Sequence, residues 1–280
     1  MDKSVLKLIK TALQEDVKNG DITTSATISK SKKAVGKFLV KADGIIAGLE
    51  IAKTVFKTVD PKIKFEIKIK DGSKVKFSDV VAIVSGKAQS LLTAERTALN
   101  FLQRMSGIAT AANTYAEKVK YTKTKVIDTR KTVPGLRALD KLAVKLGGCA
   151  NHRIGLYDMF LIKDNHIEVA GSIKKAVEAC VKYNKKHHKK FKIEVETKNL
   201  EEVEEALMTK ADIIMLDNFE ISEMKTAVEL INGKCKVEAS GGVNLDTVKS
   251  IAETGVDFIS VGALTHSVKA LDISLEIELK

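Results

Sequence analysis

The chain has 280 residues, 44% of them hydrophobic, enough for one large α/β domain or two domains. It has no run of about 18 apolar residues that would cross a membrane. Its net charge of +11 comes from 47 basic and 36 acidic residues, and its three cysteines, Cys149, Cys180 and Cys235, lie far apart with no CxxC pair, which excludes a disulfide scaffold or a closely spaced structural zinc site.

The opening segment, MDKSVLKLIKTALQED, is amphipathic and carries acids. It does not read as a signal peptide, and with the cysteine usage this makes a cytoplasmic location the expectation. Leu6, Ile9, Leu13 and Val17 recur at helical spacing, predicting a helix over 5–17 that stops before Gly20. The stretch IKFEIKIK, 63–70, alternates strictly and predicts a half-buried strand with Asp71-Gly72 as its turn. VVAIVSG, 80–86, is a second strand, and 89–105 is a helix with Leu92, Leu99, Leu102 and Met105 inward and Gly107 as its breaker.

Beyond about residue 122 the rhythm changes. Short apolar strands end in polar clusters and are followed by helices: KVIDTRK, MFLIKDNH, FKIEVET, ADIIMLDN, KVEASGG and DFISVGA, with helices over 134–146, 171–186, 199–209, 222–231 and 245–254. Repeated strand–helix units imply parallel strands joined by right-handed crossovers. In a (β/α) barrel or a doubly wound sheet, ligands bind where such strands end. Six strands fall short of a full eight-stranded barrel. The last segment, ALDISLEIELK, alternates like the early strands and is expected to return to the N-terminal domain. The expected domains are therefore 1–106 with 270–280, and 107–269.

The strand ends carry the chemistry. FLIKDNHI, 160–167, runs from apolar strand into Lys163, Asp164, Asn165 and His166. Taken alone, a lysine there is ordinarily a snorkelling surface residue, and Asp-Asn is turn chemistry. Convergence on one axis changes the reading. Lys163 would meet Asp128-Thr129-Arg130-Lys131, Glu194 and Glu196, Asp217-Asn218, Ser240-Gly241-Gly242 and Gly262. Such a set offers cations for an anionic substrate, carboxylates for hydroxyls or a metal, and glycine turns for a phosphate. The five arginines, Arg96, Arg104, Arg130, Arg137 and Arg153, all fall between 96 and 153, a window suited to gripping carboxylates or phosphates.

The segment TRKTVPGLRALDKLAVKLGGCANHRIGLYDMFLIKDNH resembles the long signature of the quinolinate phosphoribosyltransferase family. EDVKNGDITT, ERTALNFLQRMSGIAT, EVE at 194–196, IIMLDN, EASGG, ISVGALTHS and ALDISL extend the resemblance over almost the whole chain. The resemblance implies an α/β fold with an N-terminal α/β sandwich domain and a C-terminal incomplete (β/α) barrel of parallel strands. It implies formation of nicotinate mononucleotide from quinolinate and phosphoribosyl pyrophosphate, with release of pyrophosphate and carbon dioxide.

By position, the resemblance assigns Thr129, Arg130, Lys131, His152, Arg153 and Lys163 to substrate binding, with Arg96 donated by the other subunit of a homodimer or dimer-based hexamer. Glu196 and Asp217 would face ribose hydroxyls and Mg2+; Lys131, Lys163, Glu196 and Asp217 are the expected catalytic set. The turns Ser240-Gly241-Gly242 and Ser260-Val261-Gly262-Ala263 would take the 5′-phosphate. Cys149 and Thr197 depart from the usual pattern, which has a third glycine and EVEV.

Two other readings compete. Lys163 could be the Schiff-base lysine of a class I aldolase. The +11 charge could serve a non-enzymatic anion- or nucleic-acid-binding protein. The clustered arginines speak against the first; scattered lysine and 5% aromatic content speak against the second, so neither nucleic acid nor a membrane is an expected partner.

Overall fold

The computed structural model describes Lys3 to Leu279; residues 1, 2 and 280 of the expected domains lie outside the described residues. In chain order the elements are α1 (Lys3–Val17), α2 (Ile22–Thr27), β1 (Lys33–Val40), β2 (Gly44–Ile45), α3 (Leu49–Val59), β3 (Lys64–Ile67), β4 (Lys74–Val75), β5 (Val80–Lys87) and α4 (Ala88–Val119). There follow β6 (Lys125–Ile127), α5 (Arg137–Leu146), β7 (Phe160–Ile162), α6 (Asp164–Ala170), α7 (Ile173–Lys186), β8 (Ile193–Thr197) and α8 (Leu200–Leu207). The chain ends with β9 (Ile213–Asp217), α9 (Ile221–Ile231), β10 (Lys236–Ser240), α10 (Val248–Ala252), β11 (Phe258–Ser260), α11 (Ala263–His266) and β12 (Ile273–Leu279).

The chain divides into two compact units: Met1–Asn113 with Val133–Gly148 and Ser267–Lys280, and Thr114–Thr132 with Cys149–His266. The first holds an antiparallel sheet in the order β12-β1-β5-β3. Phe38, Phe56 and Phe65 meet in its core with ring centroids 5.6–5.8 Å apart. The alternation of the last segment pairs it with β1, Ile273 opposite Val40 and Leu275 opposite Phe38.

Two expectations fail in this unit. Gly107 does not end a helix: α4 runs through it to Val119. A Cβ at Gly107 would collide with the Lys269 carbonyl oxygen and lie 2.9 Å from Ala270 Cα, so the glycine admits a second backbone rather than breaking the first. The helix expected over 134–146, α5, belongs here and not with the parallel strands. Its Asp140, fully buried, receives two bonds from Arg104 of α4, Nε at 2.9 Å and Nη2 at 2.8 Å. Removing that carboxylate from its guanidinium would strand a buried charge, which fixes α5 against α4.

The second unit is a six-stranded parallel sheet, β6-β11-β10-β9-β8-β7. Each strand from β7 to β11 lies beside the next in sequence, and β6 follows β11. This is the cyclic order of a barrel opened between β6 and β7, an incomplete (β/α) barrel. The IEVET strand is buried along its whole length rather than on one face, as strands covered on both sides are. That burial takes Glu194 and Glu196 inside with it.

Candidate active site

All six parallel strands end on one cavity of about 300 Å3, whose lining includes Thr129, Arg130, Lys131, His152, Arg153, Lys163, Glu196, Asp217, Ser240 and Ser260. Asp128, just past β6 and fully buried, organises the loop that delivers His152. It accepts the His152 backbone N–H at 2.9 Å and the Asn151 side-chain amide at 2.6 Å.

Beneath the cavity lies a buried, acidic floor. His152 Nε2 lies 2.7 Å from Glu194 Oε2 and 3.6 Å from Glu238 Oε2. Burial pushes the Glu194 carboxyl up to about 7. Burial, then the nearby Glu194 charge, pushes Glu238 up well above the usual carboxylate range. Two such carboxyls retain a proton near neutral pH, because two adjacent buried charges are disfavoured. His152, Glu194 and Glu238 are also the group of possible metal ligands gathered within 4.8 Å among the described residues. The 2.7 Å contact between His152 and Glu194 has the length of a hydrogen bond.

Above the floor the cavity turns cationic. Arg130 and Arg153 both line it, and burial, then the charge of Arg130, hold the Arg153 pKa below its ordinary value. Arg153 Nη1 donates to the Met159 carbonyl at 3.1 Å, which fixes its orientation. Two planar cations held close together suit a ligand with two carboxylates.

At the rim, Lys163 Nζ lies 2.5 Å from Glu196 Oε2. This pairing occupies the Nζ that an aldolase would use to attack a carbonyl. The polar break after FLI has a structural cause too: Lys163 caps α6, and its backbone N–H donates to His166 Nδ1 at 3.0 Å. His166 is thus a cap within KDNH. Lys131 reaches the glycine turn after β11, where a Cβ at Gly262 would sit 3.1 Å from both Lys131 Cδ and His266 Cδ2. The Lys131 carbonyl accepts the Thr265 hydroxyl at 2.8 Å. The backbone N–H groups of Gly241, Gly242 and Gly262 make no hydrogen bond among the described residues and face the same opening.

Residues 21–106 match the description "Quinolinate phosphoribosyl transferase, N-terminal domain" and residues 108–276 match "Quinolinate phosphoribosyl transferase, C-terminal domain". The chain belongs to the quinolinate phosphoribosyltransferase family. It is 48% identical over 292 residues to quinolinate phosphoribosyltransferase [decarboxylating] 2b, mitochondrial, of Nicotiana tabacum, covering 99% of this chain and 82% of that protein. NadC from Streptococcus pyogenes superposes with a TM-score of 0.94 at 38% identity, over 98% of this chain and 96% of that one. The nicotinate-nucleotide pyrophosphorylase from Francisella tularensis gives 0.92 at 40%, over 99% and 96%.

Within this member of the family, the strand-end residues of the converging set named from the sequence line the cavity or its glycine rim, except Glu194, which lies fully buried. Val261 is the exception among the turn residues: it is buried, its N–H donating to the Ile127 carbonyl at 2.9 Å, and it supports the turn from behind. Arg96 is exposed on α4 in the first unit and is not among the cavity's lining residues. Sequence reading did not assign roles to Glu238, Asn218 and His266. Glu238 carried a usable signal, a carboxylate between Val237 and Ala239 in the middle of a core strand. Cys149 is buried, and burial pushes its thiol up to about 12, so it packs as an apolar side chain.

Proposed function

We propose that this chain transfers the phosphoribosyl group of phosphoribosyl pyrophosphate to quinolinate with decarboxylation, giving nicotinate mononucleotide, pyrophosphate and CO2, a step of de novo NAD biosynthesis. The observation that carries this reading is that Arg130 and Arg153 line one cavity together with Lys131, His152 and Lys163. Such a cavity selects a small planar dianion.

The chemistry follows from the cavity's layers. The ring nitrogen of quinolinate attacks C1 of the donor as the C1–O bond to pyrophosphate breaks and its electron pair leaves with the oxygen. The centre passes through an oxocarbenium-like state, as in glycoside cleavage, and Glu196 and Asp217 stabilise the developing positive charge. Holding the dianion so that nitrogen faces C1 supplies on the order of 7–11 kcal/mol. The ring nitrogen is then cationic. Loss of the C2 carboxylate as CO2 leaves an electron pair on C2 beside that cation, and a proton from solvent completes the product. The strongest bidentate contacts belong on the retained C3 carboxylate, since a tight grip on C2 would oppose its departure.

Glu196 and Asp217 are also the residues suited to Mg2+. Each has one oxygen already engaged, by Lys163 and by Asn218, and one left for a hard cation. Mg2+ typically takes one or two protein carboxylates and completes its shell with substrate phosphates and water. When bound it would offset charge on the leaving pyrophosphate.

The active form is a homodimer or a dimer-based hexamer in which Arg96 enters the neighbouring subunit's site. The exposure of Arg96 on α4 supports this. Mixing Arg96→Ala with Lys163→Ala, each inactive alone, should restore about a quarter of wild-type activity at equal ratio, because half the dimers then carry one intact site. No recovery, with exchange verified by native mass spectrometry, would return Arg96 to its own subunit. The location in this reading is cytoplasmic, supported by three dispersed cysteines with no CxxC pair, the usage of a reducing compartment. The deciding experiment incubates the protein with quinolinate, magnesium and phosphoribosyl pyrophosphate and follows nicotinate mononucleotide. Absence of product from folded protein would overturn the reading.

A further inference from the structure

The end of β9 holds a residue for which the functional reading has no use. Asn218 directly follows Asp217 and has a left-handed backbone, φ 58°. Asparagine tolerates that region better than most residues, and glycine tolerates it best. Its backbone N–H donates to the Ser240 carbonyl at 2.9 Å, extending the β9–β10 ladder by one bond. Its side-chain Nδ2 donates to Asp217 Oδ2 at 2.9 Å. The other end of the same amide faces the neighbouring turn. A Cβ added to Gly241 would collide with Asn218 Oδ1, and would stand 3.0 Å from the Asn218 backbone nitrogen. Gly241 itself has φ +93°. One side chain therefore touches the carboxylate at the end of β9 and the glycine turn at the end of β10.

We infer that Asn218 is a positioning residue for the phosphoribosyl donor, locking the Asp217 carboxylate and the Ser240–Gly242 turn into one rigid unit. The inference rests on the functional reading above, which gives Asp217 the ribose hydroxyls and the turn the 5′-phosphate. Those two ligand groups are joined by a fixed number of bonds in the donor. Their protein partners must therefore keep a fixed separation, although they sit on different strands. A carboxylate at a strand end can rotate, and a turn with two consecutive glycines can flex. The Asn218 amide restrains both at once: its N–H selects one rotamer of Asp217, and its carbonyl oxygen fills the space over Gly241 that any other side chain at 241 would claim. Quinolinate touches neither element in this reading, so its binding should not depend on Asn218.

Asn218 as a simple turn residue makes a different prediction. If only the left-handed backbone matters, glycine should serve as well or better. Ribose 5-phosphate, which carries both the ribose hydroxyls and the 5′-phosphate, is the probe; its affinity is measured by calorimetry on the full chain beside that of quinolinate. N218G is expected to bind ribose 5-phosphate at least tenfold more weakly, with quinolinate affinity within twofold of wild type. N218D keeps the shape and backbone tolerance but replaces the donor with a second carboxylate facing Asp217, and should lose at least as much. Wild-type affinity for ribose 5-phosphate in N218G overturns the clamp and leaves Asn218 a turn residue. An equal loss for both ligands also overturns it, since that marks a general collapse of the cavity. Where N218G fails to fold, by its thermal melt, the isosteric N218D carries the same two outcomes. A wild-type protein that binds no ribose 5-phosphate overturns the functional reading and the clamp together, whereas wild-type binding with an unchanged N218G overturns the clamp alone.

Discussion

Glu194 and Glu196 stand two residues apart on the same face of β8, yet they occupy different electrostatic worlds. Glu194 lies on the cavity floor, fully buried against Glu238 and His152, and its carboxyl is pushed up to about 7. Glu196, one step nearer the strand end, meets the exposed Lys163 ammonium at 2.5 Å. A rise of two residues along one strand thus separates a proton-holding layer from an ion-paired layer. The floor sets the shape and charge balance of the site; the rim meets the reactants. Floor variants should therefore reveal themselves through stability and pH, and rim variants through turnover.

The largest effect should fall on the rim. Lys163→Ala is expected to lower kcat/KM by roughly 10²–10³, the scale of losing one preorganised charge at the reacting centre, while the melting temperature stays near wild type. Wild-type turnover in the purified variant would sink the convergent-site reading. On the floor, the sign is set by a raised carboxyl. The Glu194 pKa lies at about 7 in the folded chain against 4.5 as an ordinary glutamate, so its contribution is complete below about 4.5 and is lost as pH rises through 7. Glu194→Gln removes that loss. Denaturant melts should find it more stable than wild type at pH 8 by on the order of 3 kcal/mol, from about 1.4 kcal/mol per pKa unit, with the two curves converging toward pH 4.5. A constant gap at all pH values would mean that Glu194 is not titrating.

Between floor and rim, Arg130→Lys keeps the charge and loses the fork. Quinolinate affinity by calorimetry should weaken by ~1.5–3 kcal/mol, and an unchanged value would remove Arg130 from the carboxylate site. The smallest effect is a control outside the cavity. Lys198 pairs with Asp164 at 3.2 Å on the exposed flank of α6. Lys198→Ala should leave the melting temperature within error, because exposed pairs are solvent-screened; a clear loss would extend the structured rim to that pair.

Much of this layering was legible in the sequence, and particular residues mark where legibility ended. KVIDTRK, FLIKDNH and IIMLDN announce strand ends because apolar runs stop abruptly at polar groups, and the strands do stop there. The pattern IEVE was legible as a strand but misleading as to burial. Alternation normally means one wet face, and here helices and the barrel interior cover both. The strand Lys33–Val40 was not legible, although it lies between β12 and β5 in its sheet. Gly36 interrupts its run of side chains because Leu275 Cδ1 fills the space a Cβ would need, 2.8 Å away. Gly107 misled for a related reason: a glycine that breaks a helix and one that admits a neighbouring backbone look alike until the neighbour is known. Asn218 was legible as part of the strand-end set but had no role of its own, because LDN reads as ordinary turn chemistry and the turn it supports is 22 residues downstream at Ser240.

The pairing of β12 with β1 has a consequence for how the molecule is made. Ala34 is registered against Leu279, so the sheet of the first unit takes its edge strand from a segment made after all six parallel strands. All six parallel strands are synthesised while β1 still has one side open. Closing contacts this distant in sequence is slow, and an open strand edge invites pairing with other chains in the meantime. The nascent first unit therefore waits, with Phe38 and Val40 lacking their final cover, until β12 has been made. A chain cut before Ile273 would make that waiting state permanent.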